Sequence, residues 1–527
     1  MAGSIREFIL ADGTATPAGM LPAVTGGATL DGALSWANDR PPGAWRRTWL
    51  DTFDWRLYRA GLTLELLAGR HRAELALTGR DGAVLAGQQL SSDALLSRPA
   101  LVGVLPAGPL RELVEQAVGV RALLPVARAT STMTELRALN DDAKTVARLT
   151  VDRMAVTFPA RGQLPPRLTL TPVRGYSGIT ARVGRALDAL PGVAPGPGPV
   201  LDRALALAGL RPGELAGKAA AVELTPSMPA AAALAAILTA LFDALAANVP
   251  GTVKDIDTEF LHDLRIAVRW TRSVLKLCGG ALPGGLAREF RAEFSWLGDL
   301  TTPTRDLDVY LLDFPRMTAG LVGAAESDLA PFHDYLKRSR AAEHRRLAAG
   351  LRSARFRRLT ANWHSALSDI RPHRKGGTAA RLAAGRISTA QRRALRTGQA
   401  ITPASPARSL HDLRKRCKEL RYLVEMFGSL HDPAQRWQAV RELKSLQDCL
   451  GAFQDADVQH REIRAFAGQM LAERSAPAET LLAMGEIAAG LARRQQAARS
   501  EFGARFAAFA GPASQARITS LTTAARQ

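Results

Sequence analysis

Residues 262–272 read HDLRIAVRWTR, and residues 411–421 read HDLRKRCKELR. Both place a His and three cations at offsets 0, 3, 7 and 10: His262, Arg265, Arg269 and Arg272 in the first, and His411, Arg414, Lys418 and Arg421 in the second. At ~100° per residue these offsets fall within about 80° of one helix face, and each stripe runs roughly 15 Å at ~1.5 Å per residue. Cations crowded on one stripe repel each other unless an anion neutralises them. A single stripe reads first as a solvated basic face. Two stripes in matching register, each led by a His, point to a long polyanionic ligand.

The repeat extends further along the chain. LGDL at 297–300 precedes RDLDV at 305–309, and LQDCL at 446–450 precedes QDADV at 454–458. The stripes and these acidic elements share one register shift of 149 residues. A common offset over that length predicts a duplicated helical unit with approximate two-fold symmetry. Asp306, Asp308, Asp455 and Asp457 are expected to hold basic residues of neighbouring helices by ion pairs, fixing Arg rotamers before a ligand arrives. A metal pair is the weaker reading of the Asp-x-Asp spacing.

The chain has 527 residues and a formal net charge of +20, so it should hold two or more domains and favour anionic partners. Cys278, Cys417 and Cys449 form no CxxC pair, which leaves neither a disulfide framework nor a zinc site and predicts buried small hydrophobes. The start lacks the charged-then-apolar pattern of a secretory signal. The longest apolar stretch, 230–247, is Ala-rich and interrupted by Asp243, which predicts a buried helix rather than a membrane span. A cytoplasmic protein without a membrane partner is expected.

Residues 1 to about 180 carry short alternating runs between Gly and Asp turns, among them 62–67, 73–77, 147–151 and 167–171, with a helical patch at 110–116. This predicts antiparallel strands in an α+β domain. A Pro- and Gly-rich stretch at 191–199 breaks the pattern, and from about residue 224 long amphipathic helices follow. The expected organisation is a domain over 1–210, a linker over 211–224, a helical domain over 225–510 and a frayed tail over 511–527.

Four motifs in order carry a family resemblance. They are HDLR at 262–265 with Arg269 and Arg272; WLGDL at 296–300 with RDLD at 305–308; LHDLR at 410–414 with KELRY at 418–422; and LKSLQDCLG at 443–451 followed by Asp455. Residues 225–510 therefore resemble a CHAD domain, the histidine-marked all-α domain known to bind inorganic polyphosphate. The resemblance implies a pore or groove between two helical halves, contacted by the eight stripe residues and Lys444. Arg grips two phosphate oxygens with its planar fork, Lys supplies a point charge, and a polyanion would turn a His into a cation. A third basic run lies between the halves, and Arg338, Arg345 and Arg352 at helical spacing are expected to extend the track. His333, His344, His364, His373, His431 and His460 share no pattern and are assigned surface or core roles.

Asp51-Thr52 with Leu57 and AGLTL at 60–64 resembles the early strands of the CYTH family. That resemblance implies a triphosphate tunnel, a closed antiparallel β-barrel whose members cleave triphosphates with Mg²⁺ or Mn²⁺. The chain departs from the pattern where the chemistry sits. The opening Glu-x-Glu-x-Lys strand is replaced by SIREFIL at 4–10, Glu65 stands where Arg is expected, AELALT at 73–78 lacks a Lys, and RLTLT at 167–171 offers hydroxyls in place of carboxylates. Arg148, Asp152 and Arg153 are remnants. Metal-assisted hydrolysis needs inward carboxylates for the cation, so an inactive scaffold is expected, with no catalytic residue, metal or cofactor.

The sequence thus predicts an N-terminal CYTH-like antiparallel β-barrel and a C-terminal duplicated helical bundle of the CHAD type. The expected function is non-enzymatic binding of inorganic polyphosphate; the alternative is a metal-dependent triphosphatase or polyphosphatase in the N-terminal tunnel. An HD-type phosphohydrolase fails because adjacent residues on a helix point ~100° apart and Arg265 and Arg414 would repel a cation beside each His. Nucleic acid is expected to bind only non-specifically, since no base-reading motif is present. Association with polyphosphate granules is an expectation of the resemblance.

Overall fold

The computed structural model describes residues 5–10, 34–38, 43–70, 72–91, 98–196, 198–213, 217–219, 221–370 and 377–523. The chain divides into two compact units, residues 1–216 and 217–527.

The first unit is built on an antiparallel sheet. Its strands are β1 (Arg6–Leu10), β2 (Ser35–Asn38), β3 (Gly43–Asp51), β4 (Leu62–Ala68), β5 (Ala73–Gly79), β6 (Val84–Leu90), β7 (Leu124–Leu139), β8 (Thr145–Phe158), β9 (Gly162–Gln163), β10 (Arg167–Pro172) and β11 (Val193–Pro195). They pair in the order β11-β1-β10-β8-β7-β3-β4-β5-β6, with β2 also on β7 and β9 on β8. The alternation seen in sequence sets the faces: Leu64, Leu66, Leu75 and Leu77 all turn inward and are buried. Helix α1 (Arg56–Arg59) follows β3, and Asp51 accepts the backbone N–H groups of Leu57 and Tyr58 at 2.9 Å each. Burial pushes the Asp51 carboxyl up to about 6 against these bonds. Helix α2 (Pro109–Val118) lays Leu110, Val114 and Val118 into the same core as β4 and β5. Helices α3 (Ser177–Asp188) and α4 (Val200–Ala206) complete the unit.

The sheet is antiparallel throughout, as the CYTH resemblance implies, but the expected barrel is not closed. No described pairing joins the end strands β6 and β11. Closure needs two edges that can exchange a ladder of hydrogen bonds. Here β11 has three residues ending in Pro195, which has no N–H to give, and β6 leaves Val84 and Leu85 exposed.

The second unit is all-helical: α5 (Ala230–Lys254), α6 (Thr258–Leu277), α7 (Leu286–Thr318), α8 (Ala330–Arg352), α9 (Ala354–Ser368), α10 (Ala379–Gln399), α11 (Ala407–Met426), α12 (Pro433–Ala472), α13 (Ala478–Ala510) and α14 (Pro512–Thr523). Helix α6 starts where Asp257 caps it, accepting Glu259 N–H at 2.9 Å and Phe260 N–H at 3.2 Å. Its apolar face, Leu261, Leu264, Val268 and Leu275, enters a core shared with α5, α10, α11 and α12. A smaller core fills the far ends of α7 and α12, where Phe314 and Met470 meet Phe332 of α8 and Met484 of α13.

Helix α5 has the length and composition to cross a membrane. In this fold Leu234, Leu238, Leu241 and Leu245 bury its apolar face in the main core. The three cysteines are free and buried, and burial pushes the Cys278 and Cys417 thiols up to about 12.

Two expected boundaries shift. The segment 511–527, read as a tail, forms α14 up to Thr523, because Ile518 and Leu521 pack into the main core. Part of the expected linker 211–224 belongs to the helical unit: Asn248 donates to the Gly217 carbonyl at 2.6 Å, and Leu224 N–H donates to Ser429 Oγ at 3.0 Å.

Candidate functional site

The first stripe lies on α6 and the second on α11, and the fold brings them to one groove. A cavity of about 420 Å³ is lined by Arg269, Arg272 and Lys276 of α6, Arg291 of α7, and Lys415 and Lys418 of α11. Tyr422 forms part of the wall, and Glu419 is the single carboxylate in it. Glu419 is already engaged, accepting from Lys276 Nζ at 2.7 Å and Arg416 Nη1 at 3.0 Å. The groove is therefore strongly positive.

Aromatic packing sets the approach of the stripes. The rings of Trp270 and Tyr422 lie 5.1 Å apart, locking α6 against α11. The guanidinium carbons of Arg269 and Arg421 each lie 5.7 Å from the centre of the Tyr422 ring. Glycine sets the position of Arg272. A Cβ on Gly298 of α7 would meet Arg272 Nη1 at 2.4 Å, so the guanidinium rests on bare helix backbone.

The electrostatics report the crowding. Burial together with Arg414, Arg269 and Arg421 pushes the Lys418 ammonium down to about 8, against the pull of Asp455. Burial and the neighbours Arg269, Arg305 and Arg272 likewise lower Arg265, opposed by Asp306. These residues are charged neighbours of one another across both repeats. Arg414 Nε is buried without a hydrogen-bond partner, and Arg421 Nε lies 3.6 Å from Glu425.

The first Asp of each acidic element supports its stripe in an equivalent way, whereas the second holds residues outside the stripes. Arg414 Nη2 donates to Asp455 at 3.1 Å, and the matching pair in the first repeat, Arg265 and Asp306, attract each other. Arg265 Nη1 is further held by the hydroxyls of Thr301 at 3.0 Å and Thr302 at 2.8 Å. Asp308 accepts from Arg340 Nε at 2.8 Å, and Arg340 also pairs with Asp255. Asp457 accepts from Arg461 at 3.0 Å and Gln495 at 2.9 Å. His411 Nδ1 lies 2.7 Å from Gln454 Oε1, beside the Arg414–Asp455 pair.

The sequence-predicted residues divide accordingly. Arg269, Arg272 and Lys418 line the groove, with Arg265, Arg414 and Arg421 charge-coupled to it. His262 and His411 occupy the first turns of their stripes on α6 and α11. Lys444 is exposed on α12, and Arg338, Arg345 and Arg352 are exposed on α8; none of the four belongs to the groove's lining. Sequence reasoning missed Lys276, Lys415 and Arg291. Lys276 continues the stripe by one more step of four, and Lys415 directly follows Arg414. Arg291 had no signal, because Val440 stands at its matching position in the second repeat.

In the N-terminal unit a cavity of about 680 Å³ touches Glu7, Glu65 and Arg167. Asp202 accepts from the Tyr58 hydroxyl at 3.3 Å and Asp81 from Ala83 N–H at 3.0 Å, whereas Glu7 and Glu65, with nearby Asp152, are bound to arginines. Arg47 binds Glu65 at 2.7 Å and Asp152 at 2.8 Å, and Arg167 pairs with Glu7. Burial alone would lower Arg47, but Glu65 and Asp152 outweigh it and raise its pKa. Of the expected remnants, Asp152 is buried in this network, Arg148 lies 3.6 Å from Glu135, and Arg153 is exposed. Carboxylates bound to guanidinium groups do not fit a divalent cation. No group of three or more metal-ligating side chains is present among the described residues.

A duplicated all-helical bundle presenting cations from both repeats to one groove defines the class of the second unit. Residues 236–464 match the family model of the CHAD domain, and this part of the chain is a CHAD domain. Among solved structures, the chain is similar to the CHAD domain from the plant Ricinus communis, at 25% identity over 55% of this chain and 96% of that one, with a TM-score of 0.46. PptA from Streptomyces chartreusis is 18% identical over 53% of this chain and 99% of its own, with a TM-score of 0.40. A candidate adenylate cyclase from Bacillus halodurans is 11% identical over 38% of this chain and 94% of its own, with a TM-score of 0.27. The search of curated proteins finds no match.

Proposed function

We propose that the groove between α6, α7 and α11 binds inorganic polyphosphate and breaks no bond. The observation that carries this reading is the groove lining, where Arg269, Arg272, Lys276, Arg291, Lys415 and Lys418 repel one another across a single carboxylate, Glu419, that is already engaged. A phosphate chain laid along the groove relieves that repulsion. It also offers acceptors to the guanidinium groups that line the groove, Arg269 and Arg272. Arg272 on Gly298 and Arg265 on Thr301 and Thr302 are held before the ligand arrives, which lowers the ordering cost of binding. A linear polyanion uses such a row of cations repeatedly, whereas a single phosphate uses one or two.

Lys444, Arg338, Arg345 and Arg352 serve in this reading only as an outer track for longer chains. The N-terminal unit acts as a scaffold, since Glu7, Glu65 and Asp152 are committed to arginines. Nucleic acid competes only through its backbone charge. In this reading the protein works in the cytoplasm, at polyphosphate granules where these are present.

The test is titration of the full chain with long-chain polyphosphate at several salt concentrations, beside an Arg269→Gln/Lys418→Gln variant. Affinity should fall with salt at a log–log slope of about −0.7 per neutralised charge, by analogy with single-stranded nucleic acid. The double variant should lose at least about a hundredfold, given ~1.5–3 kcal/mol for each charged hydrogen bond. Unchanged affinity in a folded variant removes the groove as the site.

A further inference from the structure

A second cavity of about 710 Å³ lies beside α6, lined by other residues of that helix than the cationic groove. Its walls are mostly apolar: Ile237 and Leu241 of α5, Ile266, Ala267 and Trp270 of α6, and Met426 at the end of α11. His431 also lines this cavity, from the turn that joins α11 to α12. Only 6% of His431 is exposed, and neither ring nitrogen has a hydrogen-bond partner. A buried imidazole without partners forfeits the hydrogen bonds it made to water, a cost that a ligand can remove.

The surroundings define the ligand. Burial and the neighbouring Arg436 lower the His431 pKa and keep the ring neutral. A neutral imidazole offers one N–H donor and one lone-pair acceptor. Most charged groups at the cavity are already engaged. Glu425 lies 3.6 Å from Arg421, Lys218 and Asp263 have partners, and Arg436 is packed on Gly428, where a Cβ would meet Nη1 at 2.5 Å. Arg436 also faces Glu425, and the remaining carboxylate, Glu223, is exposed, so the buried part of the cavity offers an ion little net charge. The volume lies within the range of small-molecule sites, whose usual design is apolar walls with few polar anchors.

We propose that this cavity is a binding site for an uncharged amphiphile: an apolar, ring-sized body beside Trp270 and Met426, with a hydroxyl that hydrogen-bonds His431. The site is separate from the polyphosphate reading and does not depend on it.

The experiment is equilibrium dialysis of the full chain against 2-naphthol and against naphthalene, which has the same body without the hydroxyl. The wild type should bind 2-naphthol saturably at one site and about tenfold more tightly than naphthalene, the value of one hydrogen bond to a buried neutral group. His431→Leu, which keeps the volume and removes the nitrogens, should erase that tenfold preference. Ala240→Trp, which fills the cavity from α5, should abolish binding of both probes. Absence of saturable 2-naphthol binding, meaning a cavity filled by water alone, overturns the proposal. So does a hydroxyl preference that survives in His431→Leu, or binding that survives in Ala240→Trp. Should His431→Leu fail to fold, the naphthalene comparison and Ala240→Trp decide the question.

Discussion

Lys418 stands beside Arg269, its own counterpart in the other repeat, 149 residues earlier in the chain. Equivalent residues of two repeats can be neighbours only near the axis that relates the repeats. The groove is therefore centred on the pseudo-two-fold axis, and duplication has doubled the charge at that point. A single stripe would have spread its cations along one solvated helix.

That crowding makes binding pH-dependent. Lys418 is held at about 8 in the free protein, and a bound polyanion raises it. Affinity should be highest below pH 8 and fall as the pH rises from 8 towards the bound-state value. Calorimetry near pH 8.5 in buffers of different ionisation enthalpy should show proton uptake on binding, and Lys418→Arg should remove it.

The same residue opposes folding. The Lys418 pKa is lower in the fold than its ordinary value of 10.5, so the unfolded chain holds more protons between about 8 and 10.5. Its penalty is full below pH 8 and is relieved as the pH rises through that window. Lys418→Met should stabilise the protein at pH 7 by about 1–2 kcal/mol after allowance for solvent screening, and weaken polyphosphate binding. Urea unfolding of both proteins at pH 7 and pH 10 measures the effect, which should shrink at the higher pH.

Gly298 tests the seating of Arg272. Ala at this position improves helix propensity by up to ~1 kcal/mol, while its Cβ displaces the end of a flexible side chain. Gly298→Ala should leave thermal stability equal or slightly higher and reduce polyphosphate affinity severalfold. Gly485→Ala, at a helical glycine with open space beside it, is the control and should leave affinity unchanged.

Arg340 tests the acidic support. It is hydrogen-bonded to Asp308, which is 1% exposed, and pairs with Asp255. Arg340→Met should cost about 3–5 kcal/mol by leaving a buried carboxylate uncompensated, and a second change, Asp308→Asn, should restore part of it. Chemical denaturation of the single and double variants reads the coupling.

The N-terminal unit should release no phosphate from tripolyphosphate with Mg²⁺ or Mn²⁺, because Glu65 and Asp152 hold Arg47 in place of a metal. A phosphate-release assay on the full chain checks this. Metal-dependent turnover lost in Glu65→Gln would revive the tunnel reading.

The stripes were legible because α6 and α11 are regular helices, in which spacing alone sets the face. The repeat was legible because one offset joined the stripes to the acidic elements. Arg291 was not, since it reaches the groove from α7 by packing, without a partner in the repeat. The basic run of α8 misled in a similar way: Arg338, Arg345 and Arg352 lie at the right spacing but face solvent, while Arg340 is the member turned inward. Barrel closure was beyond sequence too, because it depends on whether two distant strand edges meet, and β6 and β11 do not.

By itself the sequence determined two units, a duplicated helical bundle and two rows of cations, since each follows from local periodicity or internal repetition. Tertiary structure alone decided that the rows share one groove at the repeat axis, that Glu7, Glu65 and Asp152 are spent on Arg47 and Arg167, and that His431 is sealed beside a mostly apolar cavity. Those outcomes rest on contacts between residues far apart in the chain, and helix spacing carries no information about which distant face a helix will meet.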